Sequence, residues 1–94
     1  MNIEVVDLRK VEGNGNLKAY ADVKVDKSLV IHGFTVMTGR KGVFASMPRK
    51  ASKDGRWYDI LTTTHDDLKQ EFLEKVLQAY REEVGGDIDV EKEE

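Results

Sequence analysis

Between Gly39 and Arg56 the chain places six cations, Arg40, Lys41, Arg49, Lys50, Lys53 and Arg56, against one acid, Asp54. Phe44 lies inside this run, and Trp57 and Tyr58 follow it directly. Lysine and arginine neutralise phosphates and an exposed aromatic face stacks on an unpaired base, so the composition fits contact with nucleic acid. A plainer assignment fits the same residues: the cations are solvated loop positions, and Phe44 and Trp57 fill the core. Both readings stand at this level.

Other chemistry is thinly supplied. His32 and His65 are the two histidines, too few for a metal site, and no His-Glu-x-x-His spacing occurs. The absence of cysteine removes thiolate ligands, disulfides and cysteine nucleophiles together. The pairs Asp66-Asp67 and Glu82-Glu83 fall near the ends of an expected helix, where exposure accounts for both and the helix dipole for the first. Asp59 is set between Tyr58 and Ile60 in an apolar strand, where a carboxylate needs either water or a partner such as Arg56. Gly39, Gly42 and Gly55 match neither the Gly-x-Gly-x-x-Gly nor the Walker spacing. With no nucleophile beside a base, the expectation is a non-enzyme with no catalytic residues, metal, cofactor or small-molecule substrate.

A chain of 94 residues, 39% apolar and 35% charged, makes one small domain. A domain of this size buries only about 60–65% of the surface its unfolded chain exposes, and a sheet of four or five strands leaves an open edge; both favour a homodimer. The N-terminus carries no charged leader followed by an apolar run, and no stretch approaches the roughly 18 apolar residues of a membrane span. A cytoplasmic protein without membrane contact is therefore expected. The net charge of −3 is uneven: residues 1–65 carry +4 and residues 66–94 carry −7.

The elements that must position the basic run are legible from periodicity. Residues 1–11 read as a strand with imperfect alternation, which implies a bulge or cover on both faces, and Gly13 to Asn16 reverse the chain. In Leu17 to Val25 strict alternation puts Leu17, Ala19, Ala21, Val23 and Val25 on a buried face and Lys18, Tyr20, Asp22 and Lys24 on a wet one. Asp26-Lys27 turns into a central third strand from Ser28 to Met37, apolar on both sides. After the Gly39-to-Gly42 turn, Val43 to Met47 is a fourth strand that must stop pairing at Pro48. Asp54-Gly55 is a turn dipeptide, and Trp57 to Leu61 is a fifth strand.

Beyond Thr62-Thr63-Thr64 the period changes to helical, with Leu68, Phe72, Val76 and Tyr80 on one stripe. Thr64 and Asp67 have capping-box spacing, and Gly85 suits the left-handed residue that ends a helix. The expected fold class is α+β: a four- to five-stranded antiparallel meander followed by one C-terminal amphipathic helix, in a single domain over residues 1–86 with an acidic tail over 87–94.

Four strings occur in order: Leu17-Lys18-Ala19-Tyr20-Ala21, Leu29-Val30-Ile31-His32-Gly33, Gly42 through Pro48, and Asp54-Gly55-Arg56-Trp57-Tyr58-Asp59-Ile60. Together they resemble the SpoVG family, the stage V sporulation protein G or septation-protein family, over roughly residues 2–84. The resemblance implies the same α+β fold in a cytoplasmic bacterial regulator of septation and sporulation that binds DNA and RNA as a dimer. It also implies basic contact residues after the Met-Pro dipeptide, matched by Arg49 and Lys50, and one near the helix start, matched by Lys69. The sequence departs from the family's His-Pro pair before the helix, reading Leu61-Thr62-Thr63-Thr64-His65, and places Asp66 and Asp67 where they would repel phosphate.

Two functions follow as expectations. One is a DNA- or RNA-binding regulator that contacts backbone through Arg40, Lys41, Arg49, Lys50, Lys53, Arg56 and Lys69. The other is a protein-interaction module of the division machinery that uses the sheet edge or the acidic C-terminal part without touching nucleic acid.

Overall fold

The alternation that marks Leu17–Val25 builds the strand around which the sheet forms. In the computed structural model, which describes residues 1–85, four strands lie in sequence order: β1 (Ile3–Lys10), β2 (Leu17–Val25), β3 (Leu29–Gly39) and β4 (Gly42–Ser46), each antiparallel to the next. Ala19, Ala21, Val23 and Val25 all point into the core. Asp26 and Lys27, between β2 and β3, both adopt positive φ, 51° and 58°, a conformation that costs non-glycine residues energy. Reciprocal hydrogen bonds with Asn2 hold the turn: the Asp26 backbone N–H donates to the Asn2 carbonyl at 2.8 Å, and the Asn2 N–H donates to the Asp26 carboxylate at 2.7 Å.

The meander and the α+β class are as expected, with one correction to the sheet. Trp57 to Leu61 does not supply a fifth strand to the meander. Instead β5 (Arg49–Ala51) and β6 (Trp57–Asp59) pair only with each other, in a separate two-stranded ladder. Proline has no N–H to donate, so β4's ladder ends before Pro48, while the Pro48 carbonyl still accepts the Ile60 N–H at 3.0 Å. Of the basic stretch from Pro48 to Arg56, the three residues Arg49–Ala51 are therefore strand rather than loop.

The last element, α1 (Asp66–Val84), lies across the sheet on one face. Its apolar stripe buries Phe72 and Val76, and the Phe72 ring stacks on Phe34 with centroids 5.5 Å apart. Leu68, Leu73, Leu77 and Tyr80 pack around this pair. Gly85 ends the helix at φ 71°, its N–H donating to the Arg81 carbonyl at 3.1 Å; the absence of a Cβ makes that left-handed geometry cheap. The capping box does not form. The residue before the helix is His65, in extended conformation, and no side chain caps the first turn. Among the described residues no helix is long and apolar enough to cross a membrane. The acidic tail expected over 87–94 lies outside the described residues.

The second correction concerns Asp22, which alternation alone assigns to the wet face. It is 7% exposed. Both ladders that flank β2 shift register beside it, between Val5 and Asp7 in β1 and between Ala21 and Val23 against β3. Arg9 closes over its carboxylate through both terminal nitrogens, at 2.9 and 3.5 Å, and His32 donates from Nδ1 at 3.1 Å. The Arg9 hydrogen bonds, more than the His32 one, hold this carboxyl below the usual carboxylate range against the opposing effect of burial. His32 is thus an exposed side chain with a structural contact.

Candidate functional site

Alternation along a strand decides what each hairpin face presents. Opposed pairs place Arg49 against Asp59 and Ala51 against Trp57 on one face, with Lys50 against Tyr58 on the other. Arg49 is the organising side chain. Its Nε lies 3.2 Å from Asp59 Oδ1, and its guanidinium carbon stands 6.0 Å from the centroid of the Trp57 ring, within the range of a cation–π contact. The partner anticipated for Asp59 was Arg56; Arg49 takes that place because it is directly cross-strand. Trp57 is 61% exposed, so the assignment of this ring to the core does not hold. Phe44 is half-buried on β4.

The turn joining the two strands is stiffened by its own acid. The Asp54 carboxylate accepts from the Ser52 hydroxyl and from the Arg56 backbone N–H, the latter at 3.1 Å. These bonds, the Ser52 one first, hold the Asp54 carboxyl below its ordinary range. Gly55 follows at φ 85° and donates its N–H to the Ser52 carbonyl at 3.0 Å. The one acid of the basic run therefore shapes the turn and also reaches Arg56 Nε at 3.5 Å, across an exposed ion pair. Lys53 and Arg56 project from a defined turn.

Where β4, the hairpin and the helix meet, the surface folds inward to a cleft of about 440 Å³. Ser46 and Met47 form one side as the chain leaves β4, and Arg49 and Asp59 form the hairpin side. Leu61, Thr62 and Thr63 line the connection, and the helix contributes Asp66, Lys69 and Leu73. Arg49 and Lys69, twenty positions apart in sequence, thus share one site. Lys50 lies on the other face of the hairpin, and Lys53 and Arg56 lie at its tip. Arg40 and Lys41 sit in the β3–β4 turn, at the opposite end of β4 from Arg49, with the whole five-residue strand between them. The seven cations are therefore spread over four locations: the cleft, the other face of the hairpin, its tip and the β3–β4 turn.

The cleft also contains residues that the sequence reading left out: Ser46, Thr62 and Thr63, whose hydroxyls both donate and accept hydrogen bonds. The Thr62-Thr63-Thr64 run marks the change of period, and nothing in it announces a lining. Asp66, noted for its repulsion of phosphate, stands in the same cleft as Lys69. Among the described residues no three His, Asp or Glu side chains cluster in a way that could hold a metal ion.

The hairpin and cleft fall inside the part of the chain that known proteins share. The SpoVG family model matches residues 1–82. The chain belongs to the SpoVG family. It is 37% identical over 82 residues to the "Putative septation protein SpoVG" of Archaeoglobus fulgidus, covering 85% of this chain and 96% of that protein. To the proteins of the same description from Staphylococcus aureus strain Newman and Staphylococcus haemolyticus it is 35% identical over 82 residues, covering 87% of this chain and 82% of each relative. Within this SpoVG-family chain the four strings fall on β2, on β3, on β4 with Pro48, and on the hairpin turn with β6. Septation is associated with the family through the names of these relatives.

Proposed function

We propose that this SpoVG-family chain is a cytoplasmic, homodimeric regulator that binds DNA or RNA through its phosphate backbone, with Arg49 and Lys69 as the inner contacts and Lys50, Lys53 and Arg56 as the outer ones. The observation that carries the proposal is the convergence of Arg49 and Lys69 on one cleft beside an exposed tryptophan. Cations near a stackable ring suit a polyanion that carries bases. Arg40 and Lys41 would meet a more distant phosphate of the same strand. Roles in septation and sporulation control are part of the same reading.

Phosphate-dominated binding falls steeply with salt. An affinity titration with mixed-sequence DNA and RNA between about 50 and 200 mM salt should lose at least tenfold, and Arg49→Ala with Lys69→Ala should reduce the slope. No binding at the lower salt would sink the proposal. The dimer is supported by the small size of the domain and by Tyr20 and Val30, both exposed on the sheet face opposite the helix. Light scattering should give twice the 10.7 kDa chain mass, and a monomer at micromolar concentration would refute it.

A second reading is favoured by a different observation: Tyr58 and Ile60 join Trp57 in presenting apolar surface on the hairpin, as a protein-docking module of the division machinery would. Partners retained on the protein after nuclease treatment would support this module; partners all lost with nuclease would support the nucleic-acid reading.

A further inference from the structure

We infer that the cleft between β4, the hairpin and the first turns of α1 takes a single unpaired nucleotide, and that a base bearing an amino group suits it best. The inference rests on the nucleic-acid reading above and goes beyond it, because backbone contact alone does not distinguish strands that are paired from strands that are not.

Three observations carry it. The first is size: about 440 Å³ lies in the range of pockets that enclose small organic ligands, roughly 300–1,000 Å³, and is more than a phosphate group fills. The second is the lining. Met47, Leu61 and Leu73 provide an apolar surface for a flat ring, and Ser46, Thr62 and Thr63 place hydroxyls beside it. The third is charge. Arg49 and Lys69 share the cleft with Asp59 and Asp66, so it offers acceptors as well as cations, which is more than a bare phosphate uses. Carboxylates accept hydrogen bonds and donate none. A nucleotide answers all of these at once: its phosphate meets the cations, and its amino group donates to an acid.

The base must be free to enter. In a duplex each base is stacked and paired, and reaching a pocket requires flipping it out at an energetic cost. A single strand bears no pairing cost, and Trp57 stands beside the cleft through its contact with Arg49, ready to stack on the neighbouring base. Asp59 meets Arg49 through Oδ1, and a carboxylate has a second oxygen that can accept from a base. Cytosine and uracil make the cleanest comparison because they have nearly the same shape, while cytosine carries the amino group that a carboxylate accepts.

The test uses the full chain at about 50 mM salt, where phosphate contacts are strong, and reads the fluorescence of Trp57, the single tryptophan. Twelve-residue oligo(rC) and oligo(rU) are titrated, together with a mixed-sequence DNA as single strand and as duplex. The expected result is at least tenfold tighter binding of the single strand than of the duplex, and several-fold tighter binding of oligo(rC) than of oligo(rU). Thr62→Phe, at an exposed position on the cleft wall, should bring the single-strand to duplex ratio towards one. Asp59→Asn should erase the difference between oligo(rC) and oligo(rU), and thermal melts of both variants confirm that each is folded. Equal affinity for single strand and duplex by the unaltered protein, or a ratio unmoved by Thr62→Phe, would overturn the cleft assignment and leave backbone binding standing. Binding of neither form would overturn both.

Discussion

Every residue of β5 and β6 is exposed, whereas β2 buries five of its nine. The four-stranded sheet is held by apolar area removed from water and by a helix laid over it. The hairpin is held by short-range polar contacts: Arg49 to Asp59, Asp54 to its own turn, and the Pro48 carbonyl to Ile60. An element that does not depend on its large side chains for cohesion can leave them facing outward. This is how a 94-residue chain, with little apolar surface to spare, still exposes a tryptophan, a tyrosine and an isoleucine on one hairpin.

The contrast can be broken at several points. The largest effect is expected from Phe34→Ala, which removes a fully buried ring and its stacking on Phe72; about 3–5 kcal/mol should be lost in chemical denaturation. Next comes Asp22→Ala, expected to cost about 1–3 kcal/mol, because it removes the acceptor shared by Arg9 and His32. Its pH dependence has a definite direction. The folded Asp22 carboxyl lies below its ordinary 3.8, so the unfolded chain takes up the proton first as pH falls. The stabilisation is complete above about pH 4 and drains away as pH drops through the lowered folded value. Denaturation midpoints of the unaltered protein and of Asp22→Asn should therefore converge below pH 4 and separate above it.

On the hairpin the effects should be smaller and local. Asp54→Ala should loosen the turn that its carboxylate holds, seen as faster amide exchange at Arg56 rather than a lower global midpoint. Trp57→Ala should change stability by no more than about 0.5 kcal/mol, as an exposed substitution does, while weakening nucleic-acid binding severalfold. A global loss comparable to that of Phe34→Ala would show that the hairpin is part of the core after all.

The two regions also differ in how readily their sequences disclose them. Strict alternation set the bounds of β2, the single proline marked the end of β4's pairing, and the four-residue spacing from Leu68 to Tyr80 found the helix, because each signal is local. Asp22 escaped because a bulge is a relation between strands: its own neighbours, Ala21 and Val23, alternate without a fault, and its principal partner lies 13 residues away. The three-residue strands of the hairpin are too short for periodicity to assign their partners. The Thr64 and Asp67 spacing promised a cap, but the helix takes its bounds from His65, whose extended backbone leads into the first turn. The cleft was the least legible feature. It draws on residues 45–49, 59–63 and 66–73, and only the crossing of the helix over β4 brings them to one place.

The register shift between Val5 and Asp7 belongs to β1, the outermost strand on its side of the sheet. A straight outer strand offers an even row of N–H and C=O groups, on which a stray chain can lay down another strand. A bulge breaks the spacing of that row, and the charges of Glu4, Arg9 and Lys10 along the same strand penalise an apolar newcomer. The irregularity that brings Arg9 over Asp22 also acts as a gatekeeper against aggregation at this edge in a crowded solution.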